Sequence, residues 1–557
     1  MHIVLAKLNG GLRASSIGDA GELLEVEDVG DLAVFVAERE PRHPRWVWGD
    51  TSWWYPQLLA AGVRVDRCFD LRLCHAILRA SSLTADSALA QGRRGPWDAP
   101  AAVSSSPAAA PGQSHSTLFD FETTTTRGSP VDPDPVAEFT LQRSALSGCA
   151  EPARLGRLLA AESAGALVAA EMRFAGLPWS EQRHDEILSE MLGSRPAADG
   201  VRPAKLQAVL EIVRERLAAP DLNPDSPAEI IRALGLAGVV VTSTRSWELK
   251  KLRHPAIEPL LEYKKLGRLL ASNGWAWLDT WVTDGRFRPD YVPGGAATGR
   301  WATSGGGALQ LPRQIRSAVI ADDGWRLVVA DASQLEPRIL AAMAADRGMV
   351  EAGSAGDLYA GIVASGAVET RDQAKLAMLG AMYGATTGQS GRLMPKLARA
   401  YPRAIGLVEA AARAGERGEV VTTRLGRSSP PGSETGAWSE TISAADATKA
   451  RERSRAWGRF TRNFVVQGTA AEWALCWMAS IRRRLNDLDG NRGLVDGPHL
   501  VFFLHDEVVV HTPAGLADTV AAEVTAAAAE AGRLLFGDLP AQFPLTVAIV
   551  DDYGQAK

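Results

Sequence analysis

Carboxylates interrupt two apolar segments of this sequence. In RLVVADAS (326–333), Asp331 follows an apolar run, and in LVFFLHDEVVVH (500–511), Asp506 and Glu507 lie inside one. A charged group within an apolar strand needs a compensating partner, which a metal ion can supply. Two such strands side by side could hold two magnesium ions, one activating a hydroxyl and one stabilising a pyrophosphate leaving group. For either carboxylate taken alone, a capped strand end or a hairpin turn is the structural alternative.

A basic and then apolar helix face is predicted between the two carboxylate segments. In RDQAKLAMLGAMYG (371–384), Arg371, Lys375, Leu379 and Tyr383 recur at every fourth position. Residues at this spacing share one face of a helix. A triphosphate could lie along the cationic first turns, with its sugar and base against the apolar and phenolic end. The alternative is a surface helix with solvated cations over an apolar stripe.

A second helix repeats the four-residue spacing with long polar side chains. It lies in SRAWGRFTRNFVVQGTAAEW, where Arg455, Arg459, Asn463 and Gln467 share the spacing. Donors along one face suit phosphate and base-edge contacts on a nucleic-acid duplex. A solvated charged face is again the alternative.

The elements around these residues predict an α+β protein. Residues 1–85 contain short runs that suggest strands, such as LAVFVAE (Leu32–Glu38), and form a small α/β module. Residues 86–136 are rich in Ala, Ser, Pro and Thr and are expected to be a disordered linker. Helical and extended segments then alternate, as in an α+β catalytic domain.

Whole-chain properties set broad limits. The 557 residues are enough for several domains, and a net charge of −5 leaves room for a basic cleft. The four cysteines have no zinc-binding spacing, which fits a reduced cytosolic setting. The sequence shows no signal peptide or membrane-spanning segment, so a soluble, cytoplasmic protein is expected.

Several of these segments resemble motifs of the DNA polymerase I family (family A). DASQLEPR resembles the family's first polymerase motif, commonly DYSQIELR, RDQAKLAMLGAMYG resembles the fingers-helix motif, and LHDEVV resembles the third motif. RNFVVQGTAAEW, TGRWATSGGGALQLPRQIR and LLEYKKLGRLL are similar to the helix before the third motif, the TGR stretch and the connection from thumb to palm. All occur in the family's order, within about residues 150–557.

The resemblance implies a right-hand polymerase preceded by an exonuclease-like remnant. The implied segments are a degenerate 3′–5′ exonuclease-like domain (1–85), the linker (86–136), a helical lead-in and thumb (137–285), the first part of the palm (286–350), the fingers (351–440) and the second part of the palm (441–557).

Roles for single residues also follow from the resemblance. The implied metal ligands are Asp331 and Asp506, and Glu507 is expected to assist them. Lys375 is the implied general acid. The implied nucleotide contacts are Arg371, Lys375, Leu379, Tyr383, Glu336, Gln334 and Tyr359. The implied DNA contacts are Arg300, Gln310, Arg338, Arg459, Asn463, Gln467 and His505. Within these sets, Glu336 and Tyr383 are expected to close over the sugar, and Arg338 to contact a primer phosphate.

Some positions depart from the family pattern. Leu379 replaces an aromatic residue beside the sugar, Ala332 replaces a Tyr, Pro337 lies inside the first motif, and Tyr359 replaces a His that contacts the triphosphate. CFDLRLCHAIL (68–78) resembles part of the exonuclease domain. The family's exonuclease domain binds metal ions through several carboxylates, and this chain offers at best Glu38 and Glu40 in their place. Proofreading is therefore not expected.

The predicted function is template-directed DNA synthesis by a monomer. Its implied partners are primer-template DNA and deoxynucleoside triphosphates, its implied cofactors are two Mg²⁺ ions with Mn²⁺ as a substitute, and its implied location is the nucleoid. One alternative is a single-subunit RNA polymerase, against which Glu336 argues. Another is a catalytically weak or silent DNA-binding protein on a polymerase fold, against which the joint presence of Asp331, Asp506, Arg371 and Lys375 argues.

Overall fold

The computed structural model describes residues 1–8, 11–99, 133–198, 200–384, 388–432, 444–489 and 493–556, without the side chains of 444–447 and 489. The chain divides into two compact units. The first comprises Met1–Gly176, Pro289–Leu309 and Gly324–Ile549, and the second comprises Leu177–Arg288, Gln310–Asp323 and Val550–Lys557. Both contain helices and strands, which confirms the predicted mixed class.

The N-terminal part of the first unit is a five-stranded sheet with helices packed on it. Its elements are β1 (His2–Leu8), β2 (Gly11–Ile17), β3 (Leu23–Val29), α1 (Leu32–Arg39), β4 (Arg45–Trp48), α2 (Thr51–Ala60), β5 (Cys68–Asp70) and α3 (Leu71–Ala80). The strand order is β3-β2-β1-β4-β5. The first three strands pair antiparallel, whereas β4 and β5 add in parallel. Buried Trp46, Trp48 and Trp54 contribute to its core.

The segment Leu32–Glu38 is helical, so the prediction of a strand was wrong. Its β-branched and aromatic residues favour a strand by propensity alone. Asp31 overrides that preference because its carboxylate caps α1, accepting a hydrogen bond from the N–H of Val34 at 3.0 Å. The helix then buries Phe35 and Val36 against the sheet.

Part of the predicted linker is also folded. Residues 88–91 form helix α4 (Ala88–Gln91), and Leu89 and Trp97 are buried. Arg72 lies over the ring of Trp97, with its guanidinium carbon 5.1 Å from the ring centroid. The linker boundary at residue 86 was therefore wrong, because Leu89 and Trp97, two apolar residues within a polar segment, are buried by packing. Residues 100–132 of the predicted linker lie outside the described residues.

Helices α5 (Pro135–Ser147) and α6 (Pro152–Ala175) also belong to the first unit, although the prediction grouped them with the thumb. The 24-residue α6 is buried along most of its length and packs against α2 and β5. Its central segment, Ala166–Ala170, contains only alanine, leucine and valine, which suits a helix that is packed on several sides.

The second unit is mainly helical. Its elements are β6 (Leu177–Pro178), α7 (Glu181–Leu192), α8 (Ala204–Arg216), α9 (Pro227–Leu236), α10 (Ser246–Leu249), α11 (Ile257–Asn273), α12 (Trp275–Trp281), β7 (Val282–Thr283) and β8 (Arg286–Phe287). Leu234, Leu249 and Leu260 are fully buried in one core formed by α8 to α11 and their connections.

The remaining part of the first unit carries a second sheet and the longest helix. Its elements are β9 (Asp290–Val292), β10 (Ala302–Gly305), β11 (Trp325–Ala332), α13 (Leu335–Met343), α14 (Arg347–Gly353), α15 (Leu358–Ala364), α16 (Arg371–Tyr383), α17 (Gly388–Ala400), α18 (Pro402–Glu416), α19 (Ala444–Asp489), β12 (His499–Leu504), β13 (Glu507–Pro513), α20 (Ala517–Phe536) and β14 (Leu545–Val550). The strand order β12-β13-β11-β14 joins the two segments predicted to form the palm.

A buried ion pair links α6 to α19 within the first unit. Arg482 donates from Nε to Glu171 at 2.9 Å and from Nη2 to the other carboxylate oxygen at 2.8 Å. Tyr55 of α2 also donates to Glu171, at 2.6 Å, and Arg482 donates to the carbonyls of Val65 and Asp66. Burial alone would raise the pKa of Glu171, but the nearby guanidinium groups hold it below its usual value. This cluster ties the N-terminal sheet to the long helix.

No helix among the described residues is both long and apolar enough to span a bilayer.

Candidate active site

The carboxylates predicted to bind metal ions lie at one end of the pair β11 and β13. Asp331 stands opposite Glu507 in the register, and the N–H of Ala332 donates to the carbonyl of Asp506 at 2.8 Å. Asp506 lies in the tight turn between β12 and β13, directly after His505, whose φ is +60°. The strand pairing therefore brings together two aspartates that are far apart in the sequence.

These residues fit a divalent metal site that is shared with a substrate. Mg²⁺ commonly binds through one or two protein carboxylates, with water and substrate phosphates completing its coordination. Glu507 is only 2% exposed and, as the cross-strand partner of Asp331, lies on the same face of the sheet. Over the described ranges, no group of three or more Asp, Glu, His or Cys side chains forms a metal-binding cluster. Asp331 and Asp506 therefore suit an open site better than a closed structural one.

Helix α16 presents the face that the four-residue spacing predicted. Thr370 caps the helix through its hydroxyl, and Arg371, Lys375, Leu379 and Tyr383 are all exposed along one side. Gly384 ends the helix with a φ of +74°, and a side chain there would meet Arg459 of α19 at 2.8 Å. A glycine is needed at this position both for the left-handed backbone and for the close approach of α19.

Glu336 lies between Tyr383 and Arg300. The Tyr383 hydroxyl donates to one carboxylate oxygen of Glu336 at 2.8 Å, and Arg300 donates to the other. Burial, followed by the charge of Glu336, raises the pKa of Tyr383, so the phenol stays protonated as the donor. The predicted pairing of Glu336 and Tyr383 is thus present. Arg300, predicted to contact DNA, binds Glu336 in this structure.

A pocket of about 190 Å³ gathers many of the predicted residues. The pKa of His505 is lowered by desolvation and by the charge of Arg300, which favours the neutral imidazole. The pocket also extends between α13 and α19, where its wall is apolar. Of the predicted site residues, those lining it are Arg300, Gln334, Glu336, Tyr359, Leu379, His505 and Asp506.

Asp357, which is not among the predicted site residues, holds Arg371 at the start of α16. Its Oδ2 accepts a hydrogen bond from Nε of Arg371 at 2.7 Å, and its Oδ1 accepts one from the Gln334 amide at 2.8 Å. Asp357 also caps α15. An aspartate directly before a helical segment is a recognisable capping signal, but its reach to Arg371 depends on the tertiary fold.

The polar face of α19 is only partly exposed. Arg459 is exposed, Asn463 is buried, and Gln467 is half-buried. The side-chain amide oxygen of Asn463 has no hydrogen-bond partner among the described residues. A buried acceptor in this state is costly unless another molecule satisfies it.

The structure contradicts the predicted phosphate contact of Arg338. Its side chain is 3% exposed, and its guanidinium donates only to backbone carbonyls. Burial lowers the pKa of Arg338. Because every nitrogen already has an acceptor, Arg338 braces the loop between α14 and α15. Its carbonyl partners are those of Ser333, Gly353, Gly356 and Gln542.

The remaining predicted positions have simple surroundings. Gln310 is exposed and belongs to the second unit. Ala332 and Pro337 are buried, so these departures from the family pattern fill space in the core. Tyr359 is buried, with the guanidinium carbon of Arg371 5.5 Å from its ring centroid, and burial raises its pKa to about 12. A neutral phenol therefore stands where the family pattern has an imidazole.

Comparisons with known proteins agree with the motif resemblance. The sequence model of DNA polymerase family A matches residues 216–550. The chain is 28% identical over 428 residues to the thermostable DNA polymerase I of Thermus thermophilus, covering 67% of this chain and 48% of that protein. It is also 28% identical over 319 residues to DNA polymerase I of Chloroflexus aurantiacus, covering 52% of this chain and 32% of that protein.

A solved structure shares the fold over almost the whole chain. It is the polymerase domain of Pol1 from M. smegmatis in complex with DNA primer-template and dNTP, with a TM-score of 0.67, 19% sequence identity, and coverage of 98% of this chain and 93% of that one. By contrast, the chain spans about half the length of the curated relatives it matches. At 19% sequence identity, the structural similarity shows a shared fold and nothing more.

Proposed function

Because the chain belongs to DNA polymerase family A, we propose that it is a DNA-directed DNA polymerase that extends a primer 3′ end with deoxynucleotides. The observation that carries the proposal is the pairing of β11 with β13, which brings Asp331 and Asp506 together. The Glu336–Tyr383 contact and the basic face of α16 belong to the same unit. A carboxylate pair, a sugar-facing contact and a row of cations are the parts that nucleotidyl transfer requires.

The reaction divides between the metal site and the basic helix. Two Mg²⁺ ions, or Mn²⁺ in their place, held by Asp331 and Asp506 would activate the primer hydroxyl and stabilise the pyrophosphate. Arg371 and Lys375 would bind the triphosphate along the exposed side of α16. The primer 3′ oxygen would then bond to the α-phosphorus, the bond between the α-phosphorus and the oxygen that bridges it to the β-phosphate would break, and the hydroxyl proton would pass to water. Lys375 would protonate the departing pyrophosphate.

The duplex would be held by the polar residues of α19 and by neighbouring groups. The unsatisfied acceptor of Asn463 and the exposed guanidinium of Arg459 support contacts to the template and its backbone. Gln467, Arg300 and His505 complete the proposed DNA contacts within the first unit. We propose that the chain acts as a monomer on primer-template DNA and therefore associates with the nucleoid.

Primer extension tests the proposal. The full chain is incubated with a labelled primer annealed to a longer template, with Mg²⁺ and either the four dNTPs or the four rNTPs. We expect extension with dNTPs only, and none in the presence of EDTA. Extension with rNTPs would favour an RNA polymerase, whereas tight duplex binding without extension would favour a silent DNA-binding protein.

Glu336 is expected to exclude ribonucleotides by its size. With both carboxylate oxygens bonded, to Tyr383 and Arg300, the side chain is fixed and cannot move away from a 2′ hydroxyl. We expect Glu336→Ala to raise the ribonucleotide to deoxynucleotide ratio of kcat/KM at least about tenfold, since relief of such a clash is worth about 1.4 kcal/mol or more. Single-nucleotide insertion with paired dNTP and rNTP substrates measures the ratio.

Glu336→Gln is the matched control for that experiment. It keeps the size of the side chain, removes its charge and leaves one acceptor oxygen for the Tyr383 hydroxyl, so the steric explanation requires selectivity much closer to that of the wild type than to that of Glu336→Ala. A ratio that rises equally in both variants would show that charge, not volume, selects the sugar.

We further propose that the chain has no proofreading activity. Glu40, one of the two best counterparts of exonuclease carboxylates, accepts hydrogen bonds from Trp46 and from the N–H of Asp66, both at 2.6 Å, and so has a structural role. A 3′-mismatched, end-labelled primer incubated with Mg²⁺ and no nucleotides should keep its full length. Shortening that persists in Asp506→Asn would contradict this prediction.

A further inference from the structure

Asp357 uses both of its carboxylate oxygens at the mouth of the proposed nucleotide site. Oδ1 accepts from the side-chain amide of Gln334 at 2.8 Å and from the N–H groups of Tyr359 and Ala360 at 3.0 and 3.2 Å. Oδ2 is left for Arg371, whose Nε donates to it at 2.7 Å. Three donors thus fix the carboxylate before it meets the guanidinium.

The contact uses one particular side of Arg371. Its Nε is bonded to Asp357, and Tyr359 lies under the guanidinium, 5.5 Å from its carbon. Among the described residues, the two terminal nitrogens of Arg371 make no hydrogen bond. A guanidinium held through Nε presents these two nitrogens as a fork, which is the arrangement that binds a phosphate in a bidentate manner.

We propose that Asp357 is a positioning residue for the incoming nucleotide, acting through Arg371 to aim its two terminal nitrogens at the triphosphate. This inference rests on the proposed polymerase function and deepens it. The side chain of Arg371 is 54% exposed, so without Asp357 it would sample many rotamers. A ligand would then have to order the side chain as it binds, and affinity would fall.

The charge of Asp357 is maintained over the useful pH range. Burial would raise its pKa, but the hydrogen bonds from Arg371 and Gln334 outweigh that effect and hold it at about 2. Because the pKa of Asp357 is lowered, its carboxylate is fully ionised above the ordinary Asp pKa. The ion pair with Arg371 is therefore lost only in strong acid. A neutral variant is therefore needed to test the contact.

Asp357→Asn removes the charge and keeps the cap. Asn caps helices about as well as Asp, so α15 should stay folded. We expect the KM for the correct dNTP to rise about threefold to fivefold, the range given by exposed ion pairs, with kcat changed less than about twofold. Asp31→Asn is the matched control, because Asp31 caps α1 and has no ion pair among the described residues. It should leave both constants unchanged.

A double-mutant cycle separates positioning from a general structural role. In an Arg371→Gln background, Asp357→Asn should cost nothing further, because the residue through which it acts is gone. Additive effects would overturn the proposal, as would an unchanged KM. A fall in KM would also overturn it, since Asp357 would then be competing with the triphosphate for Arg371.

Binding without chemistry keeps this inference distinct from the proposed function. The full-length wild type and four variants are each bound to a dideoxy-terminated primer on a template with T at the next position, and each complex is titrated with dATP. The variants are Asp357→Asn, Asp31→Asn, Arg371→Gln and the double variant Asp357→Asn with Arg371→Gln. We expect the dissociation constant to rise threefold to fivefold in Asp357→Asn, and only when Arg371 is present. If the wild type binds dATP in this way but does not extend a normal primer, the proposed function fails and the positioning role stands. Equal dissociation constants in wild type and Asp357→Asn would overturn the positioning role, whatever the extension result.

Discussion

Asp331→Asn or Asp506→Asn is expected to lower the rate of nucleotide addition at least about a thousandfold. Each substitution keeps the shape of the side chain and removes a negative charge that the paired metal ions require. A thousandfold loss corresponds to about 4 kcal/mol of transition-state stabilisation, which is reasonable for a direct metal ligand. Single-turnover insertion on a preformed primer-template complex measures the chemical step without product release.

The same variants should still bind DNA. Duplex affinity comes mainly from phosphate contacts, so anisotropy titrations at one fixed salt concentration should agree with the wild type within about threefold. Asp518→Asn is the control, because Asp518 is exposed in the first turn of α20. Near wild-type extension by either site variant would refute the assignment of Asp331 and Asp506 as metal ligands. A parallel loss of DNA binding would mean that the substitutions had disturbed the fold.

Arg482→Met is expected to destabilise the first unit by about 3–5 kcal/mol. The substitution leaves the buried Glu171 carboxylate with only Tyr55 and the more distant Arg64, whose Nε is 3.8 Å away, and breaking a buried ion pair costs about that much. It also frees the carbonyls of Val65 and Asp66, which Arg482 bonds. Denaturant unfolding of the full chain, followed by tryptophan fluorescence, measures the shift in midpoint. The tryptophan-rich core beside Tyr55 makes the signal sensitive to this region.

The adjacent residue provides the matched control for that measurement. Arg483 pairs with Glu530 at 2.7 Å but is 54% exposed, so Arg483→Met should cost only about 0–1 kcal/mol. The double variant Arg482→Met with Glu171→Met removes both charges and should recover much of the loss. Equal midpoints for Arg482→Met and Arg483→Met would show that the buried pair contributes little to stability.

The features that could be predicted from the sequence are those with a local pattern. Period-four spacing identified the exposed face of α16, and an apolar run before Asp331 identified β11, because each depends on residues close together in the chain. The joint order of the polymerase motifs identified the family. These signals needed no knowledge of how the elements pack.

The features that were missed depend on contacts between distant residues. Arg338 lies in a polymerase motif and has a charged side chain, so only the packing of α13 against later loops shows that it is buried. Glu171 and Arg482 are separated by 311 positions, and neither has a pattern that predicts the other. Asp357 appears in the sequence as an ordinary helix cap, and its second oxygen finds Arg371 only in the folded chain.

The strand prediction for Leu32–Glu38 was wrong for a different reason. Its composition favours a strand, and the outcome was decided by the single Asp31 cap and by the surface available to Phe35 and Val36. Short apolar segments are ambiguous in this way because local preferences for strand and helix differ by less than the free energy gained on packing.

The register of β11 against β13 has a consequence for how this chain can change in length during evolution. Successive residues of a strand face opposite sides, so inserting or deleting one residue within Trp325–Ala332 would turn Asp331 away from the face it shares with Glu507. Residues added after α18, in the exposed segment around Glu419 and Val420, leave that pairing untouched. Length variation among related chains should therefore accumulate in the helical half of the unit and be absent from these two strands.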